Sequence, residues 1–185
     1  MRQLEYDEQY AKWLSLSLSD TCDIHLANYL AELALNWGRL EYYLYLILEA
    51  IDGTKASQWT DIYFKTNALE ARINAAKEEI IVATKISYPA FETQLGEALT
   101  KFDDLRKPRN ALMHGLWRRI GPKSFKLLPM RMDKTLGVLQ KEIDVDVNYV
   151  SSVVIDMHNL LGRFASLGAE MLAHQWMQNH QNGNP

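Results

Sequence analysis

The stretch Leu30-Ala31-Glu32-Leu33-Ala34-Leu35-Asn36-Trp37-Gly38-Arg39-Leu40-Glu41-Tyr42-Tyr43-Leu44-Tyr45-Leu46-Ile47-Leu48-Glu49-Ala50-Ile51 sets the reading of the fold. Leu30, Ala34, Trp37, Glu41, Leu44, Leu48 and Ile51 recur in alternating steps of four and three. That is the spacing of a packed helix-bundle seam. One member, Glu41, is the wrong residue type for a core. With Asp20 as N-cap and Asp52-Gly53 as the stop, the pattern predicts one helix over 21–51. Gly38, Tyr42 and Tyr45 share a second face, where the glycine lets another helix come close; this face suits a dimer contact better than base stacking.

The same rhythm extends in both directions. Leu4 to Leu14 reads as an opening helix, and Ser15-Leu16-Ser17-Leu18-Ser19 as a connector. After Ser57 to Phe64, a helix over Thr66–Ile86 carries the seam Leu69, Ile73, Ala76, Ile80, Ala83. Tyr88-Pro89 opens the next, with Pro89 in the first turn. Its seam is Phe91, Leu95, Ala98, Phe102, Leu105, Arg109, Leu112 and Leu116, again with one charged member. Pro108 removes a backbone donor, so a kink or a restart is expected there. Gly115 marks the end. Trp117 to Arg131 then reads as a short hairpin around Gly121-Pro122, with Pro129 ending the second strand or confining it to an edge. Past a looser stretch from Val138 to Val147, Asn148 caps a last long helix with the seam Val150, Val153, Met157, Leu160, Phe164, Leu167, Met171. The tail, 178–185, is polar and expected to fray. The fold class expected is all-α: an up-down four-helix bundle with an extra N-terminal helix and a short β-hairpin insertion. It forms one domain over 1–185, with its core at about 20–177.

Composition agrees. A chain of 185 residues, 48% hydrophobic and 23% charged, supports one domain with a real core. A single cysteine, Cys22, excludes an internal disulfide framework and a thiolate zinc cluster. No run nears the roughly 18 apolar residues of a membrane span, and no secretory leader is visible. The expected setting is the cytoplasm. Net charge is −3, which argues against a general nucleic-acid coat protein, but its distribution is uneven. From Leu105 to Met132 stand Arg106, Lys107, Arg109, Arg118, Arg119, Lys123, Lys126 and Arg131, with no acid among them. One segment of +8 on an otherwise acidic chain points to a local anion site, against the plainer reading of a solvated basic loop.

The two charged seam positions belong together in this reading. A lone carboxylate in a core costs several kcal/mol, and a guanidinium can pair with it bidentately. Glu41 and Arg109 are therefore expected to face each other. The pair either fixes helix register or holds Arg109 toward an anion. In Arg109-Asn110-Ala111-Leu112-Met113-His114-Gly115, Asn110 and His114 are four apart on one helix face. Asn110 is expected to hydrogen-bond the His114 ring. Arginine stabilises developing charge and histidine moves protons near neutral pH, so the group suits a phosphodiester. The plainer reading of His114 is a dipole partner at a helix C-terminus.

At these residues the chain resembles the HEPN superfamily of all-helical proteins. Arg109-Asn110-x-x-x-His114 is similar to its Arg-x(4–6)-His signature, which often has Asn after the Arg, and Glu41 stands where an acidic residue from an earlier helix often lies. The resemblance implies a metal-independent endoribonuclease of toxin–antitoxin or phage-defence type, needing no cofactor. It implies a homodimer whose two motifs build one composite groove, with RNA as substrate and an antitoxin as a possible protein partner. It also implies roles: His114 in proton transfer as the 2′-hydroxyl attacks, Arg109 on the phosphorane charge, Asn110 in positioning. The products are a 2′,3′-cyclic phosphate and a 5′-hydroxyl end. Arg106, Lys107, Arg118, Arg119, Lys123 and Lys126 are the candidate contacts to the RNA backbone, each weighed against a solvated charge. The alternative is a non-catalytic HEPN-like module that binds nucleotide, RNA or a partner protein; a helical interaction protein with a purely structural Glu41–Arg109 pair is a third.

Elsewhere the residues offer less. His25, His158, His174 and His180 lack metal-ligand spacing, and His174 is expected to be exposed. No glycine-rich phosphate loop is present.

Overall fold

The computed structural model describes residues 24–51, 69–129, 132–133, 138–139 and 141–181. The expected opening helix, its serine connector, Asp20, Cys22, the stop at Asp52-Gly53 and Arg131 lie outside the described residues.

Among the described residues the chain is mainly helical, with a three-stranded and a two-stranded antiparallel sheet. Helix α1 is Ile24–Ile51, α2 Leu69–Ser87, α3 Glu92–His114 and α4 Val147–Gln181, with a 3-10 turn at Pro89–Phe91 before α3. Strand β1 is Leu116–Arg119, β2 Ser124–Leu128, β3 Met132–Asp133, β4 Val138–Leu139 and β5 Ile143–Asp146. The residues fall into two compact units, 1–35 with 104–156, and 36–103 with 157–185.

In the second unit the core is aromatic. Trp37 of α1 stacks on Phe102 of α3 with centroids 4.7 Å apart, and Phe102 tilts against Phe164 of α4 at 6.3 Å. Aromatic pairs of this kind add to simple area burial. The last seam is borne out in full: Val150, Val153, Met157, Leu160, Phe164, Leu167 and Met171 are all buried. The first seam is corrected. Leu33, Trp37, Leu40, Leu44, Ile47, Leu48 and Ile51 are buried, whereas Ala34 is exposed and Glu41 half-buried. The core stripe of α1 is rotated toward Leu33 and Leu40, so Glu41 flanks it. On α2, Thr84 takes the buried place expected of Ala83 and donates its hydroxyl to the Ile80 carbonyl at 2.5 Å. Tyr88 is buried between elements, donating to the Ala50 carbonyl at 3.3 Å, and burial pushes its phenol above the ordinary value.

In the first unit the sheet runs in the order β1-β2-β5, all antiparallel. The expected hairpin is present, with Arg118 opposite Lys126 and Arg119 opposite Phe125. The stretch from Val138 to Val147 is not merely loose: its end is β5, which makes β2 the central strand. Pro129 accordingly ends β2 after Leu128 and does not place it at an edge. The cap of α4 is Asp146, not Asn148. Its Oδ1 accepts the Tyr149 N–H at 2.7 Å, the ordinary bond from an N-cap side chain. Pairing of Asp146 with Ser124 holds the chain extended up to that residue, and the helix starts at once. At the other end α4 reaches Gln181, so 178–181 are helical where fraying was expected.

Candidate functional site

The site is built where α3 meets β1. Pro108 neither ends nor restarts α3, which continues to His114. A proline inside a helix removes one i→i−4 bond, here the bond to the Asp104 carbonyl. The two turns after it carry the motif.

Three contacts fix the end of that helix. The Gly115 N–H donates to the Ala111 carbonyl at 2.8 Å. Trp117 folds back and donates its indole N–H to the Leu112 carbonyl at 3.0 Å, answering one of the terminal acceptors. The Trp117 ring meets Phe125 edge-on at 5.9 Å, so the same side chain ties β1 to β2. Gly115 is needed for space. A Cβ there would run into the Leu127 side chain and, at 2.5 Å, the Ala111 carbonyl oxygen. The glycine lets β2 press against the helix end, and this sets where His114 sits.

Arg109, Asn110 and His114 come together. Arg109 is half-buried; Asn110 and His114 are exposed. Arg109 Nη1 donates to Asn110 Oδ1 at 2.9 Å and lies 3.4 Å from His114 Nε2. The expected bond between Asn110 and His114 is therefore replaced: the guanidinium stands between them and reaches both. Arginine can do this because its donors form a rigid fork. A guanidinium carries donors only, so a hydrogen bond between the two is received at Nε2. Chemically, the cluster offers a cation, an amide and an imidazole to an anion at an exposed helix end.

The other expected cations are spread over different tasks. Arg118 meets Glu142 at 3.6 Å and Lys126 meets Asp144 at 2.7 Å. Arg119 donates to the Gly121 and Pro122 carbonyls at 3.1 and 3.3 Å, bracing the hairpin turn. Lys107 and Lys123 are exposed and Arg106 is half-buried. Glu41 belongs to the second unit and Arg109 to the first.

Two features escaped the sequence reading. Asn36, buried next to Trp37, places its amide nitrogen 3.1 Å from His158 Nδ1. The signal was a polar residue inside an apolar run. His174 is half-buried, not exposed, its ring set edge-on against Tyr88 and Phe91 at 5.8 and 6.0 Å.

Among the described residues no group of three or more His, Cys, Asp or Glu is arranged to hold a metal ion, and no helix is long and apolar enough to cross a membrane. Comparison with models of protein families, with curated proteins and with solved structures found no match to this chain.

Proposed function

We propose that the chain is a HEPN-like endoribonuclease that cleaves RNA without a metal ion. One observation carries this: Arg109 Nη1 lies within 2.9 Å of Asn110 Oδ1 and 3.4 Å of His114 Nε2, at an exposed helix end. The substrate's 2′-hydroxyl attacks the adjacent phosphorus and passes its proton to His114 Nε2. The bond from phosphorus to the 5′-oxygen breaks, and that oxygen leaves with a proton from solvent. A 2′,3′-cyclic phosphate and a 5′-hydroxyl end result. Arg109 turns from the imidazole to the phosphate as charge builds there, which frees Nε2 for the proton and stabilises the phosphorane. Asn110 holds the guanidinium at one edge of its fork. The resemblance adds the setting: a cytoplasmic toxin or phage-defence protein, with two copies sharing a groove and a cognate antitoxin as partner.

The test is cleavage of RNA in EDTA by the purified chain, with the ends of the products identified. His114→Ala should abolish cleavage without unfolding the chain. Equal cleavage by both proteins rejects His114 as the catalytic base.

A second reading draws on the same contact. Nε2 is already engaged by Arg109, and a guanidinium held this way suits a site that grips phosphate without turnover. A HEPN-like binding module would bind RNA or a nucleotide with steep salt dependence and leave it intact.

A further inference from the structure

The middle of α4 carries small residues on one face. Gly168 and Ala169 lie three and four residues after Ala165, so all three stand on the same side of the helix. Across from them, the C-terminal end of α1 supplies Leu46, Ile47 and Ala50. Both stretches belong to the second unit. With nothing longer than a methyl at those three α4 positions, the space between the helices stays open as a groove of about 550 Å³. A Cβ added at Gly168 would meet nothing within 4 Å. Small-molecule sites occupy roughly 300–1,000 Å³, are mostly apolar, carry a few polar groups and occur between the helices of bundles. Here, among the described residues, the walls hold one charged side chain, Glu49, and no lysine, arginine or histidine. Glu49 is half-buried, and the Tyr45 hydroxyl donates to its Oε1 at 3.2 Å, which holds the carboxylate in place.

We infer that this groove binds a small amphiphilic amine, its apolar part lying between α1 and α4 and its protonated amino group on Glu49. The apolar walls supply affinity, about fourfold for each methylene fully removed from water. The acid chooses the head group. A carboxylate head would set like charge against Glu49. A neutral head would take water from the carboxylate and return a weaker hydrogen bond. An ammonium has three donors and forms the stronger, charge-assisted bond. No residue of the proposed cleavage site stands on either wall, so this inference is independent of the chemistry at His114.

Titrating the ¹⁵N-labelled full chain with octylamine, octan-1-ol and octanoate at pH 7, all below micelle-forming concentrations, tests groove and head group together. Octylamine should shift the Gly168 and Ala169 amide signals saturably and bind about tenfold tighter than octanoate, with octan-1-ol between. Hexylamine should bind several-fold more weakly than octylamine. Gly168→Phe fills the groove from a position with open space and replaces a poor helix former. Its circular dichroism should be unchanged while all three ligands lose saturable binding. Glu49→Gln keeps the side-chain length and an acceptor for Tyr45. It should leave octan-1-ol binding as it was and remove the advantage of octylamine over it. The inference is overturned if octylamine gives no saturable shift at Gly168, if octanoate binds as tightly, or if Gly168→Phe binds like the wild type. A preference for octylamine that survives Glu49→Gln overturns it as well.

Discussion

The end of α3 and the hairpin that follows it draw on the same run of cations and use them differently. On α3, Arg109 reaches two neighbours within five residues, Asn110 and His114. On the sheet, Arg118 and Lys126 are directly opposite each other, and each has an acid from further along the chain, Glu142 and Asp144. Like charges opposite each other in a ladder repel, and these acids offset the repulsion. The segment that sums to +8 in sequence is thus partly answered in space by Glu142 and Asp144, which lie beyond its end. Charge counted along a sequence measures a binding surface only where the fold brings no opposite charge to it. What marks the α3 end is the meeting of a guanidinium, an amide and an imidazole there, and the hairpin is its support.

The sharpest way to break this contrast is to remove one group from each side. His114→Ala should lower cleavage by about 10²–10⁴-fold, the usual contribution of a positioned proton acceptor. Arg109→Ala should cost about 10²–10³-fold, as loss of a donor to developing negative charge does elsewhere. Arg109→Lys should recover little of this, because an ammonium cannot span an amide oxygen and an imidazole as the fork does. Both positions lie at a helix end, so urea unfolding of His114→Ala should shift by no more than about 0.5 kcal/mol. Loss of activity together with several kcal/mol of stability in His114→Ala would mean that the imidazole is structural.

Next in size is Gly115, the joint between the two regions. Its missing Cβ leaves room for the Leu127 side chain on one side and the Ala111 carbonyl oxygen on the other. A side-chain end can move, but a backbone oxygen that already accepts the Gly115 N–H cannot. Gly115→Ala should therefore destabilise the chain by about 1–3 kcal/mol, in the range of overpacked cores. It should also reduce cleavage, since shifting the joint moves His114. Unfolding and cleavage measured on the same preparation check both effects. A neutral Gly115→Ala would show that β2 does not set the position of the motif.

Much of this molecule was legible in its sequence, and the failures share a cause. The α4 seam was read correctly from Val150 to Met171 because seven apolar residues in a strict rhythm leave one solution. The α1 stripe was misplaced because that helix is apolar nearly all round. Leu30, Leu33, Ala34, Leu40 and Leu44 fit two overlapping seams, and only the folded chain shows that the one through Leu33 and Leu40 is buried. Glu41 consequently looked more interior than it is. Strand β5 was missed because Ile143-Asp144-Val145-Asp146 is too short to register alone; it is a strand because β2 lies beside it. With β5 unseen, neither the Asp146 cap nor the carboxylate facing Lys126 was visible. At the site, spacing placed Arg109, Asn110 and His114 together correctly. Which of them bonds to which was decided by side-chain reach, and the longer arginine took both partners.

The smallest predicted effect separates support from contact on the hairpin. Lys126 Nζ lies 2.7 Å from an Asp144 carboxylate oxygen, and the carboxylate is largely exposed. Exposed pairs of this kind contribute about 0.2–1 kcal/mol, so Lys126→Ala should lower stability by no more than that. A double-mutant cycle with Asp144→Ala should return a coupling inside the same range. If Lys126 serves only the sheet, RNA binding by Lys126→Ala keeps the wild-type slope of log affinity against log salt. If it also holds a phosphate, that slope falls by about one. Because Asp144 competes for the ammonium, Asp144→Asn should tighten RNA binding in the second case and leave it unchanged in the first. A slope change at Lys126 equal to that at the exposed Lys123 would erase the distinction between the two regions, because an ion-paired lysine would then be as available to RNA as an exposed one.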